Sequence, residues 1–143
     1  MKKLIILLLC AYSFTQAMVT NRQLAITTTP EMAILCTKYK SAIGPVIAAL
    51  YARGIKEFSA EKLNKIILHT MFKKISSNIE TLEDVMPTLE GFKNFLAHDS
   101  LCRPFSNQLL EKAQSYLRKE IDKAKLLNTV IDIRNMFIRL SRP

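Results

Sequence analysis

Between residues 63 and 75, apolar side chains recur at steps of four (Leu63, Ile67, Met71, Ile75), flanked by Ile66, Leu68 and Phe72. This spacing lays a broad apolar face along an α-helix and does not suit a strand, whose side chains alternate every second residue. With three glycines in 143 residues, no run of period two and no hairpin dipeptide, no segment reads as a strand. The expected fold is all-α: a single compact bundle of four to six helices over residues 29–143, with a long C-terminal helix.

Residues 1–17 stand outside that reading. Lys2 and Lys3 precede a continuous apolar run from Leu4 to Ala11, and Ser13 to Ala17 is more polar and ends in small residues. This is the three-part pattern of a cleavable secretory signal peptide, with a cut after Ala17. The apolar run is much shorter than the ~20 residues of a membrane span. Lipid modification at Cys10 is disfavoured by the bulky Leu9 before it. The expected location is therefore secreted or periplasmic. Removing the leader leaves 126 residues, the size of one domain, and lowers the formal charge from +9 to +7. That excess favours solubility and gives a mild attraction to acidic surfaces.

Export also governs how the cysteines are read. Cys36 and Cys102 are the two that survive processing, and a lone pair in an oxidising compartment is expected to form one disulfide. Such a staple would contribute roughly 4 kcal/mol by constraining the unfolded chain.

Residues 18–28 carry little periodicity and read as an irregular N-terminal arm. Thr29-Pro30-Glu31 suits a helix start, which would run to about Ile43. Gly44-Pro45 is expected to interrupt it, with a restart from Pro45 to Arg53 closed by Gly54 in the left-handed conformation. Residues 42–52 are apolar or small all round, as in a buried central helix. Ser59 opens the next helix, with Glu61 in its first turn, and Ser76-Ser77-Asn78 ends it. Thr81 and Asp84 resemble a capping box, and Pro87 is expected to divide a short turn (82–86) from a helix over 88–97. Asp99 to Phe105 reads as a loop. Ser106 then caps a pattern in which Leu110, Leu117, Ala124, Ile131 and Ile138 recur every seven residues. This predicts one helix of about 34 residues, or two joined near Asn128-Thr129.

Chemistry has few places to reside. His69 and His98 are the two histidines. His98-Asp99-Ser100 spells the letters of a hydrolytic triad, but three adjacent side chains cannot pass a proton in the required geometry. His98 and Cys102, four apart, would supply two metal ligands, which is an incomplete site. Glu83, Asp84 and Glu90 fit helix caps and solvated surface. Gly44, Gly54 and Gly91 are isolated, so there is no glycine-rich phosphate loop. Arg118, Lys119, Lys123 and Lys125 cluster with Glu120 and Asp122 among them, and Arg118 and Asp122 are spaced as a helix-surface pair. No catalytic residue, cofactor or metal is expected, nor a nucleic-acid partner.

Binding is the remaining class. Phenylalanine and methionine are plentiful and can line an adaptable apolar cavity between helices. The expected pocket is built from Ile47, Leu50, Ile67, Met71, Phe92, Phe95, Leu117 and Ile121. In outline the chain is similar to exported helical lipid carriers, which share its size, few cysteines and apolar content. It shares no motif with them, so no residue role carries over, and it lacks the cysteine framework of saposin-like or odorant-binding proteins. The expected function is a non-enzymatic carrier of lipid or another small hydrophobic ligand. Its rivals are a secreted effector or inhibitor acting on a protein partner, and a weakly membrane-active cationic protein with at most peripheral membrane contact.

Overall fold

The computed structural model describes residues 26–27, 30–55 and 58–142. Residues 1–17, expected to be a signal peptide, and most of the expected N-terminal arm lie outside the described residues. The chain is all-helical in character and divides into two compact units, one ending at Leu63 and one beginning at Asn64.

In the first unit, α1 (Pro30–Lys38) and α2 (Lys40–Ala52) pack together, and their axes differ by 109°. The break falls at Tyr39 rather than at Gly44-Pro45. Tyr39 accepts from the amides of Ala42 and Ile43 at 3.0 and 2.9 Å, and its own amide donates to Leu35 at 3.0 Å, so it closes one helix while opening the next. Pro45 lies inside α2. The residue before a proline is normally kept out of the helical region by its Cβ, and Gly44 has none. The amide that proline lacks would have served the carbonyl of Ser41, and both residues are exposed, so water can satisfy that carbonyl.

The expected all-round burial of α2 is also corrected. Ala42, Ile43, Ile47 and Leu50 are buried, whereas Ala48, Ala49 and Ala52 are exposed. Alanine on the outer face costs little helix propensity, so small size there does not signal burial. Gly54 ends α2 as expected, with φ +84. Its amide donates to Tyr51 and that of Ile55 to Leu50, both at 2.9 Å, the paired bonds of a Schellman motif. Ile26–Thr27 (β1) and Phe58–Ser59 (β2) form a two-residue parallel pairing, in register Ile26 to Phe58. The sequence did not signal it, because two residues are too few to show a period.

The helix α3 (Ala60–Ser77) starts as expected: Ser59 Oγ accepts from the amide of Lys62 at 3.1 Å. It ends at Ser77, where Asn78 Nδ2 donates to the carbonyl of Lys74 at 2.8 Å. A 3₁₀ turn (Ile79–Thr81) leads into α4 (Leu82–Leu96), which is continuous through Pro87. Here again the proline and the residue whose carbonyl it leaves without a donor, Glu83, both face solvent. The helix α5 (Arg103–Leu117) begins three residues ahead of the expected Ser106, because Asp99 organises the preceding turn. Its Oδ2 accepts from the amide of Cys102 at 3.1 Å, and its carbonyl accepts from Arg103 at 2.9 Å.

The expected 34-residue helix is two, α5 and α6 (Lys123–Leu140), but the break precedes Asn128-Thr129 by several residues. Lys119 adopts φ +63, its amide donating to Tyr116 and that of Glu120 to Ser115, both at 2.9 Å. This is a second Schellman motif, built without glycine. Arg118 pairs with Glu120 at 2.9 Å instead of with Asp122, whose Oδ1 caps α6 through the amide of Lys125 at 2.8 Å. The turn dephases the seven-residue row. Leu126, Val130, Ile133 and Phe137 form the buried face of α6, while Leu117 and Ile131 are 36% and 43% exposed. In this unit α4 packs along α5 and α5 along α6. Phe137 meets Phe105 edge-on at 5.3 Å and His69 at 5.5 Å.

The expected Cys36–Cys102 disulfide is not present: among the described residues no cysteine pair stands at disulfide distance. Both side chains are buried, Cys36 beside Met32 on the inner face of α1 and Cys102 just ahead of α5, where each fills space as a small apolar group. Burial pushes the Cys36 thiol up to about 12. Both cysteines should therefore alkylate in denaturant without prior reduction, and Cys36 should react slowly in the native protein, where little thiolate forms. Peptide mapping checks this; recovery of a Cys36–Cys102 linked peptide would refute it.

The two Schellman turns give a matched stability test. Gly54→Ala puts a Cβ into open space, so only backbone strain acts. A left-handed penalty of roughly 1–2 kcal/mol against a gain of ~0.4–1 kcal/mol from a stiffer unfolded chain leaves a net loss of about 1 kcal/mol. Lys119→Gly should raise stability by roughly 0.5–1 kcal/mol by the reverse balance. Urea unfolding of the two variants measures both.

Candidate functional site

The eight residues expected to form one pocket fall in both units and differ widely in burial. Ile67, Met71, Phe92 and Phe95 are completely buried in the second unit, and Ile47 and Leu50 are buried in the first. Leu117 and Ile121 line an open dish of about 450 Å³ made by the α5–α6 turn itself, with Tyr116, Lys119, Glu120 and Asp122. A dish formed by one continuous stretch of chain encloses little.

A better-shaped site lies between α3 and α6, where the two helices meet through side chains, His69 edging onto Phe137 at 5.5 Å. There a cleft of about 320 Å³ is lined by His69, Phe72, Lys73, Ser76 and Ser77 from α3 and by Val130, Ile131 and Arg134 from α6. This is the small end of the range for ligand sites. Phe72 and Val130, 3% and 2% exposed, form an apolar floor, and Ile131 stands at the rim. On α3, His69, Lys73 and Ser76 fall at i, i+4 and i+7, one stripe of a helix; on α6, Val130 belongs to the buried face, and Ile131 and Arg134 occupy the exposed flank beside it.

The electrostatics of the cleft are one-sided. His69, Lys73 and Arg134 line it, and no residue lining it is acidic. Partial burial of the His69 ring, which edges onto both Phe72 and Phe137, lowers its pKa, and the guanidinium of Arg134 lowers it further. Elsewhere in this unit cations find carboxylates: Arg118 pairs with Glu120 at 2.9 Å and Lys123 with Glu80 at 3.1 Å.

The other chemical residues serve local structure. His98 Nδ1 contacts the carbonyl of Phe95, and its ring meets that of Phe95 edge-on. Asp99 holds the turn before α5. These roles keep the triad letters and the His98–Cys102 pair in turn architecture. Glu83 and Asp84 sit exposed in the first turn of α4, and Glu90 is exposed further along it. No group of three or more His, Cys, Asp or Glu side chains suited to a metal ion occurs among the described residues. No single helix among them is long and apolar enough to cross a membrane.

Sequence reasoning missed the cleft. Ile131 was counted in the seven-residue core row, and the available signal was the His69-Lys73-Ser76 stripe, in which a polar edge runs alongside an apolar face. No family model, no curated protein and no solved structure matches this chain.

His69 sets a pH dependence for folding. Its folded pKa is depressed below the usual imidazole value of about 6.5, so the unfolded chain binds the proton more readily. Its contribution is present above the unfolded pKa and lost as pH falls through the folded one. Thermal unfolding should show Tm decreasing from pH 7.5 to pH 5, and His69→Gln should make that decrease shallower.

Proposed function

We propose that this is an exported, non-enzymatic binding protein that holds a small hydrophobic ligand in the cleft between α3 and α6. The observation that carries the reading is the exposed apolar side chain of Ile131 beside a defined volume whose floor is closed by the buried Phe72 and Val130. Elsewhere in the second unit the large side chains Phe92, Phe95 and Phe137 are consumed by the core. Concave sites with a predominantly apolar lining and a few placed polar groups are the usual form of small-molecule sites. Export is supported by the leader pattern of Lys2, Lys3, the Leu4–Ala11 run and Ala17. The carrier role pairs that address with a site that offers apolar contact.

A neutral, environment-sensitive apolar dye, N-phenyl-1-naphthylamine, tests the reading without involving charge. It should bind saturably with enhanced fluorescence. Ile131→Asp, at a rim position where a carboxylate remains hydrated, should weaken binding about tenfold while leaving the circular dichroism spectrum unchanged. Dye binding that is absent, or unaffected by the substitution, would overturn the assignment of this cleft.

A further inference from the structure

We infer that the ligand of the α3–α6 cleft is an amphipathic anion, its negative head seated among Lys73, Arg134 and His69 and its short apolar body lying along Ile131, over the floor closed by Phe72 and Val130. The inference rests on the reading of the cleft as a hydrophobic-ligand site and adds the charge that the ligand carries. Two positively charged side chains and an imidazole reach one small volume from two different helices. Neither Lys73 nor Arg134 makes an ion pair among the described residues, although Arg118 and Lys123 do so on the same unit. Like charges gathered beside an apolar floor repel one another more strongly than they would in open water. A bound anion relieves that repulsion, whereas a neutral ligand leaves it in place.

The donor set also indicates the head group. A guanidinium presents a planar fork that matches two oxygens of a carboxylate, sulfate or phosphate, and an ammonium adds a compact point charge. The hydroxyls of Ser76 and Ser77 line the same cleft and add neutral donors. A free inorganic anion would use these groups but leave the exposed side chain of Ile131 uncovered. A neutral alkane-like ligand would cover it but leave the cations without a counter-charge. An amphiphile with an oxyanion head satisfies both halves of the lining.

The test compares three probes on the full chain by isothermal titration, below their critical micelle concentrations: octyl sulfate, 1-octanol and inorganic sulfate. Octyl sulfate should bind at least tenfold more tightly than either of the others. Lys73→Gln and Arg134→Gln should each cost it about tenfold, leave 1-octanol unchanged and retain the helical spectrum, and Arg134→Lys should restore part of the loss. Equal affinity for octyl sulfate and 1-octanol would overturn the anionic head while leaving the hydrophobic site standing. Inorganic sulfate binding as tightly as octyl sulfate would overturn the amphiphile. Failure of all three probes in folded protein would remove the site itself.

Discussion

The second unit depends on the ring of Phe137. It is 1% exposed and meets Phe105 of α5 and His69 of α3 edge-on, at 5.3 and 5.5 Å. Aromatic pairs of this geometry contribute about 0.5–1.5 kcal/mol each beyond the burial of their area. Their larger effect here is geometric. The α5–α6 pair packs closely along its length, whereas α3 is held to α6 across the thickness of rings. The space left beside that contact is the cleft, and its polar edge follows from the same residue. His69 must turn an edge inward to meet Phe137, which keeps the imidazole beside Lys73 and Arg134 at the mouth.

Where a backbone group needed a specific side chain, the sequence was legible. Ser59 caps α3, Asn78 closes it through the carbonyl of Lys74, and Gly54 takes the left-handed position after α2, each as its chemistry requires. Where a rule names a tendency that context can offset, it was less so. Pro45 and Pro87 break neither helix because the lost hydrogen bond falls on an exposed face in both, and at Pro45 a glycine also removes the steric objection of the preceding residue. Lys119 shows the opposite failure: a left-handed turn occupied by a residue that seldom adopts it, stabilised by two backbone bonds and offering nothing for a sequence reading to detect. The missed turn carried the seven-residue row with it, since a helical period has meaning only while the helix is unbroken.

For the candidate site, residue types were a weaker guide than position along a helix. An inventory of phenylalanine and methionine cannot distinguish a core from a cavity, and Phe92, Phe95 and Met71 prove to be core. The cleft residues are those at the boundary between apolar and polar faces, such as Ile131 and His69, which a reading that sorts residues into inside and outside passes over. The cysteines fail for a related reason. Counting them identifies a pair, but pairing requires two sulfurs to approach, and Cys36 and Cys102 are instead buried separately as packing groups.

The order of contacts in the second unit bears on how quickly it can form. Helices α4, α5 and α6 each pack on their immediate neighbour in the chain across short turns, so little loop-closure entropy stands between an extended chain and most of this unit. The closure of α3 onto α6 through Phe137 joins more distant segments and belongs to a later step. The first unit is built the same way: α1 packs on α2, and the parallel pairing of Ile26–Thr27 with Phe58–Ser59 brings together ends separated by the whole of both helices. A chain emerging from its N-terminus can therefore complete the closing contact of the first unit, Ile26 against Phe58, before the longer-range contact of His69 with Phe137 that borders the cleft has its second partner available.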